Sequence, residues 1–419
     1  MSDAGATGAP APAAGRGDWV TTGIPPPGRV HLAIGTVAPI AALLFSTAFL
    51  LMGNGLQNLL LPVRAHAERF TTLDIGVLGA SYFLGFGIGC FAGPHVVRRA
   101  GHVRTFAAMV SLASALGLAH AVVVAPAAWW FCRTLSGFSL AVLFMVIESW
   151  LNEKSTNENR GRVFSIYRIV NFTVITAGQL LLTLGDPRTF ALFAGASILI
   201  SLAVLPVALS RAEAPCRPAE VRLGVLRRCR RCWVGFAGIA AVGLTNGAFW
   251  SLAPVFVQTG ILWSSDLAAV LMSIAVMAGA MAQWPLAQLS DRTDRRGVVV
   301  LACIAGAIAG AGAALCAGIW RWELGPFVFF FLFGLSALPL YTLCAAHMND
   351  SVESGGFVEA SSGLLLLFSL GAVSGSLAGS VAMNLMGPAG LFSFTAAVHI
   401  ALAVFTVARM RLHPSRAGR

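Results

Sequence analysis

Uninterrupted apolar stretches of about 20 residues recur along the whole chain, and no other feature restricts the fold as strongly. Each is long enough to cross a hydrocarbon core of about 30 Å as a helix. Lipid offers no partner to a bare N–H or C=O, so only helices and closed barrels span it. Barrel strands alternate apolar and polar residues, whereas these runs are continuous, which selects helices. Composition agrees: 57% of residues are hydrophobic and 11% are charged, against roughly 25% charged in a soluble domain.

The pattern predicts twelve spans, near residues 36–62, 73–92, 103–124, 128–151, 163–185 and 188–210, then 233–257, 266–288, 297–318, 325–347, 358–385 and 389–410. The domain reading is a disordered tail (1–34), a six-helix bundle (35–210), a basic linker (211–232), a second six-helix bundle (233–411) and a short tail (412–419). The first segment is rich in Gly, Ala and Pro and poor in large apolar groups, so it cannot bury a core. It also lacks the basic-then-apolar order of a cleaved signal.

An even number of spans puts both termini on one side, and basic residues choose the side. With the termini in the cytoplasm, 22 of the 28 Lys and Arg fall in cytoplasmic segments. Arg64, Arg69, Arg188 and Arg321 fall outside, and Arg133 and Arg168 lie within spans. The densest cluster is the linker, with Arg211, Arg217, Arg222, Arg227, Arg228, Arg230 and Arg231. A net charge of +11 therefore reads as a topology anchor against anionic lipid heads, not as nucleic-acid binding.

Of the eight cysteines, Cys90, Cys132, Cys303, Cys316 and Cys344 sit in apolar runs and act as small hydrophobes. Cys229 and Cys232 have metal-site spacing, and Cys216 lies upstream, yet no second pair or nearby His completes a site. Nucleotide-phosphate loops and nucleophile–base constellations are missing from the sequence, so neither a cofactor, a metal nor an enzymatic activity is expected.

The chain repeats itself. Gly53-Asn54-Gly55 with Leu60, Pro62 and Val63 realigns 192 positions later with Thr245-Asn246-Gly247, Leu252, Pro254 and Val255. The same offset pairs Asp74 with Asp266, Ser81 with Ser273, Gly87 with Gly279 and Arg104 with Arg296. Further on the offset becomes 197, pairing Gly137 with Gly334, Ser139 with Ser336 and Asn152 with Asn349. Each half is one six-helix unit, and the even helix number makes the units parallel repeats.

The turn after the eighth span reads Leu289-Ser290-Asp291-Arg292-Thr293-Asp294-Arg295-Arg296. The first-half copy carries Arg98, Arg99 and Arg104 but has Val97 where the acid is expected. The fourth span holds Arg133-Thr134-Leu135-Ser136-Gly137. Together these resemble motifs A and B of the major facilitator superfamily. Glu148-Ser149-Trp150-Leu151-Asn152, Arg160-Gly161-Arg162, Tyr167-Arg168 through Asn171, Ala177-Gly178-Gln179, Leu340-Tyr341 and Asn349-Asp350 resemble its YcaD-like bacterial branch, which has no assigned substrate. The resemblance spans essentially everything after residue 36. It implies an all-α membrane fold of twelve transmembrane helices in two parallel-repeat bundles, and a multi-pass monomer in the bacterial inner membrane. It also implies a cytoplasmic gate built from Arg98, Arg99, Arg104, Asp291, Arg292, Asp294, Arg295 and Arg296, the first-half copy departing from the motif at Val97.

Ionisable groups at membrane depth are costly and mark function by default. Arg133, Glu148 and Arg168 are the candidates, and Glu148 and Arg168 reach similar depth on neighbouring antiparallel helices, as an ion pair or a coupling site. Arg133 and Glu148, fifteen residues apart, are separated by about 22 Å of helix rise. Phe330 and Leu365 stand at the repeat positions of Arg133 and Arg168, which assigns the charged work to the first half. Asn54, Gln57 and Asn58 of the first span, Asn246 and Trp250 of the seventh, Asn171 and Gln179 of the fifth, and Tyr82 and Tyr341 complete the candidates for a solute path. Their alternative is interhelical hydrogen bonding, worth about 0.6 kcal/mol on average. The resulting expectation is a secondary transporter moving a small solute by rocking two bundles, with protons as a candidate coupling ion and membrane lipid as the surrounding partner. A non-transporting membrane sensor and a lipid flippase on the same scaffold are the competing readings.

Overall fold

A computed structural model of the chain describes residues 40–156, 159–209, 233–260, 264–318, 323–349 and 357–412. The predicted tails, the basic linker with Cys216, Cys229 and Cys232, Arg321 and Asp350 lie outside the described residues. Twelve helices of membrane-spanning length are present among those described. They are α1 (Ala41–Ala67), α2 (Thr72–Ala100), α3 (His102–Val122), α4 (Pro126–Glu153), α5 (Arg160–Leu184, its last turn 3₁₀) and α6 (Phe190–Leu202 with Val204–Leu209). The second half has α7 (Trp233–Gly260), α8 (Ser265–Arg292), α9 (Arg295–Gly318), α10 (Gly325–Ala337 with Leu340–Asn349), α11 (Phe357–Met386) and α12 (Ala389–Leu412).

Proline explains most departures from the predicted bounds. The first span is placed at 36–62, yet α1 runs through Pro62 to Ala67, and α2 runs through Pro94 to Ala100. A helix interior tolerates proline in a membrane because neighbouring helices re-satisfy the freed carbonyl. At Leu338-Pro339 the tenth span does break, into two pieces. At the start of α2, Thr71 and Asp74 form a reciprocal capping box: Asp74 N–H donates to Thr71 Oγ1 at 3.1 Å and Thr71 N–H to Asp74 Oδ2 at 3.0 Å. The matching cap of α8 is Ser264, whose hydroxyl accepts from Leu267 N–H at 3.3 Å, while Asp266 sits in the first turn.

The internal repeat is legible in the packing. A Cβ on Gly178 of α5 would collide with the Met52 carbonyl of α1, and one on Gly375 of α11 with the Leu244 carbonyl of α7. Both partners in that comparison are repeat mates. Likewise Gly137 presses α4 onto the Tyr82 carbonyl of α2, as Gly334 presses α10 onto the Ala275 carbonyl of α8. Small residues let backbones approach in lipid, where dispersion and not water exclusion drives helix association.

Among the described residues, the two halves meet closely at one end only. Arg98, Arg99, Arg104, Arg295, Arg296 and Arg411 gather at the face holding the described chain ends, the basic face; the opposite side is the distal face. Toward the distal face one hydrophobic core joins the halves, running from Leu56–Val63 and Trp129 through Ala248–Val257 to Phe330 and Phe392. Toward the basic face the core divides in two. One cluster, with Val97, Val146 and Tyr167, belongs wholly to the first half, and another, with Val298, Leu340 and Leu402, wholly to the second.

The joint packs α2 against α11 and α7, and α5 against α8. Gly76 abuts Ser380, Gly79 abuts Ser251 and Ser376, and Gly87 abuts Ser369. Ser251 and Ser376 hydroxyls are 2.9 Å apart, and Ser376 also donates to the Gly247 carbonyl at 3.0 Å. Farther along, Phe83 meets Phe368 edge-on at 6.1 Å.

Replacing Gly178 or Gly375 with Val is expected to cost about 1–3 kcal/mol, read as a lower melting temperature of the detergent-solubilised protein. The two losses should be similar, since the contacts are repeat mates. Gly195→Ala is the control, because a Cβ there meets nothing within 4 Å; it should leave the melting temperature equal or slightly higher.

Candidate functional site

Where the joined core ends, a cavity of about 200 Å³ opens between the halves. Its polar lining is Asn54 and Asn58 of α1, Tyr82 of α2, Arg133 of α4, Gln179 of α5 and Ser251 of α7, beside Trp250. Phe83, Phe86 and Phe368 face it from the basic side. Arg133 is only 7% exposed. One of its terminal nitrogens donates to Asn58 Oδ1 at 3.0 Å, and its guanidinium carbon sits 4.3 Å from the centroid of the Tyr82 ring. Its Nε has no acceptor. The Asn54 and Asn58 amides lie beside the Tyr82 hydroxyl.

The local sequence explains this arrangement. Gly137, one turn past Arg133, lets α4 lie on the Tyr82 backbone, which sets the arginine over the tyrosine ring. The Arg-x-x-x-Gly pattern is therefore a packing rule that delivers a charge. Gln179 is reached from the second half: Ser273 of α8 donates to its Oε1 at 3.5 Å, a long contact.

Two candidates face elsewhere. Gln57, 2% exposed, turns into the first half, its amide 3.6 Å from where a Cβ on Gly117 of α3 would stand. One residue along a helix rotates a side chain by about 100°, enough to separate it from Asn58. Asn246 is 6% exposed and does not line the cavity. Ser251, Phe83, Phe86 and Phe368 were outside the sequence-based set. The small-residue run Gly76, Gly79 and Gly87 was the available signal for a partner helix at that seam, and no signal in the sequence marks Phe368.

A second polar cluster lies nearer the basic face. Tyr82, Phe86 and Cys90 share one face of α2, so this cluster begins about 12 Å of helix rise beyond the Arg133 cavity. It contains Glu148 of α4, Tyr167, Arg168 and Asn171 of α5, Cys90 of α2 and Tyr341 of α10. Tyr341 comes from the opposite half and packs edge-on against Phe368 at 5.5 Å. Glu148 and Arg168 are both exposed, whereas Tyr167 is buried among them. Among the described residues no ion pair within 4.0 Å joins Glu148 to Arg168. The two charges interact here at longer range, on either side of Tyr167 in sequence and space. Between the two clusters stand Phe83, Phe86 and Phe368 as an aromatic layer.

At the basic face, Arg295 pairs with Asp291 at 3.0 Å and Arg296 with Asp294 at 2.9 Å, Ser290 also accepting from Arg295 at 3.5 Å. Arg292, Arg99 and Arg104 are exposed, and Arg98 is half-buried. In the first half, Val97 occupies the core at 1% exposure. The junction there is held by a hydrogen bond between His102 Nε2 and Ser149 Oγ at 3.2 Å, tying the start of α3 to the end of α4.

Comparison with known proteins accords with this architecture. The Major Facilitator Superfamily model matches residues 43–360. An uncharacterized MFS-type transporter of Enterobacter sp. (strain 638) is 24% identical over 384 residues, covering 90% of this chain and 97% of the relative. The uncharacterized MFS-type transporter YcaD of Escherichia fergusonii is 25% identical over 341 residues, covering 80% and 87%. Among solved structures, the nucleoside transporter NupG superposes with a TM-score of 0.70 at 14% identity, covering 89% of this chain and 99% of NupG. A bacterial homolog of the human lysosomal transporter Spinster also gives 0.70 at 14% identity, covering 89% and 96%. With twelve membrane-length helices and a family match over most of its length, the chain is a multi-pass membrane protein belonging to the Major Facilitator Superfamily.

Proposed function

We propose that this protein is a secondary transporter that carries a small solute by alternating access, held here in the conformation open toward its basic face. The observation that carries the reading is the division of the hydrophobic core, joined across the halves at the distal end and split in two at the basic end. A polar cavity sits where the two regimes meet, at the interface of the repeats, the ordinary place for a transported solute. By the bias of Lys and Arg, the basic face is cytoplasmic, so the open side is the inner one. A second conformation follows if the seam of α2 on α11 and α7 parts while the basic ends close.

Glu148 suits a coupling role better than a structural one. It is exposed on the open side, shares a cluster with Arg168 and with Tyr341 of the other half, and is tied into no close ion pair. A carboxylate so placed exchanges protons with the aqueous phase in this state and meets different neighbours once the halves rock. The gate arginines and acids of the α8–α9 turn, already paired locally, are positioned to change partners in the same motion.

Comparing metabolite pools of wild-type and deletion cells identifies the solute, and proteoliposome uptake then tests the mechanism. Gly79→Val forces a side chain into Ser251 and Ser376, so it should wedge the distal seam. Uptake is expected to fall at least tenfold, while a cysteine in place of the buried Ser380 becomes reactive to impermeant maleimide from the distal side. Unchanged uptake with that cysteine still shielded contradicts alternating access through this seam. Glu148→Gln should keep solute exchange at equal concentrations yet lose stimulation by a pH gradient. Stimulation that survives the substitution removes Glu148 from coupling.

A further inference from the structure

We propose that the cavity at Arg133 binds a small organic monoanion: a carboxylate carrying a ring-sized or branched apolar body. The inference deepens the transporter reading above, and it is tested by binding, which does not require translocation.

The first argument is charge. A guanidinium stays protonated in any protein environment. Arg133 is 7% exposed, has one hydrogen bond to a neutral amide and one aromatic face beneath it, and its Nε lacks an acceptor. Among the described residues no carboxylate lies within 4.0 Å of it, and the cavity lining contains no acid. Neutral dipoles soften a buried cation but do not cancel it, so the site lacks one negative charge.

The second argument is the repeat. Phe330 holds the position equivalent to Arg133 and is fully buried among Phe249, Phe256 and Phe392. The scaffold thus accepts an apolar side chain at this place between α4-type and α2-type helices. A charge in the first half therefore serves something other than packing.

The third argument is space and valence. The cavity holds about 200 Å³ next to the guanidinium, and an apolar cavity of about 150 Å³ already takes up benzene. Leu61, Ile75, Leu78, Trp250 and Phe368 supply apolar walls. With one cation and no second one in the lining, a monoanion is neutralised on entry, whereas a dianion would bring an unbalanced charge out of water. A carboxylate also matches the flat fork of the guanidinium with two parallel hydrogen bonds.

The test uses purified full-length protein at pH 7 and matched acid–amide pairs: benzoate with benzamide, and 3-methylbutanoate with 3-methylbutanamide. Benzene-1,4-dicarboxylate serves as the dianion. In equilibrium dialysis and thermal-shift titration, at least one acid should bind wild type tenfold or more tightly than its amide, and the dianion should bind more weakly than benzoate. Arg133→Met should erase the preference and, without ligand, melt at or above the wild-type temperature. The inference is overturned if both amides bind as well as their acids, if the dianion binds best, or if the preference persists in Arg133→Met. A variant that unfolds or melts well below wild type also overturns it, because the charge would then be structural. Carboxylate binding without translocation would sink the transporter reading alone. Transport of a neutral solute that carboxylates do not inhibit would sink this inference alone.

Discussion

Close backbone contact through glycine and serine holds this molecule together, and the other features of the architecture depend on it. In lipid, apolar side chains gain nothing by leaving the solvent, so helices associate through surface fit and interhelical hydrogen bonds. The chain meets that constraint with the same contacts twice, Gly178 on α1 and Gly375 on α7, Gly137 on α2 and Gly334 on α8. Building one half this way builds the other. The seam between halves uses the same means, with Gly76 and Gly79 set against Ser380, Ser376 and Ser251. A joint of small residues and hydroxyls forms a tight seal without bulky interlocking knobs.

Against that symmetry, the polar groups are distributed unevenly. The first half supplies Arg133, Asn54, Asn58, Tyr82 and Gln179 to the cavity, and the second half supplies Trp250, Ser251 and Phe368. The fourth helix carries an arginine where the tenth carries Phe330 in an aromatic cluster. One half is thus specialised for holding polarity and the other for giving it an apolar lid. Such division is available to a duplicated scaffold because packing is fixed by the glycines, which leaves the remaining faces free to differ.

What the sequence revealed follows from the range of each physical signal. Span number and helix type were legible because a hydrocarbon slab imposes a length and an all-apolar surface on every crossing. Repeat mates such as Asn54 with Asn246 and Gly137 with Gly334 survived as letters because close contact tolerates few residue types. The ends of α1 and α2 were misplaced because proline in lipid need not stop a helix. Inside the site, Arg133 followed from cost and motif and Tyr82 from the helix arrangement the resemblance implies, but the angular position of Gln57 depends on which neighbours surround α1. The Glu148–Arg168 pairing was read from depth along two helices. Depth alone does not fix how each side chain is rotated about its helix axis, and a contact within 4 Å needs both.

The prolines of α1 and α7 connect the shared scaffold to the specialised cavity. Pro62 and Pro254 occupy equivalent repeat positions inside their helices. Each deprives the carbonyl four residues earlier of its helical partner, and those residues are Asn58 and Trp250. Both residues line the cavity. The same local feature thus recurs beside the cavity in each half, at Asn58 on one side and Trp250 on the other. The repeat fixes the two places while the residues at them differ: an amide oxygen that accepts from the Arg133 guanidinium on the first half, and an indole wall on the second. An anion whose carboxylate met Arg133 and whose apolar body met Trp250 would therefore lie across the interface between the halves, touching both.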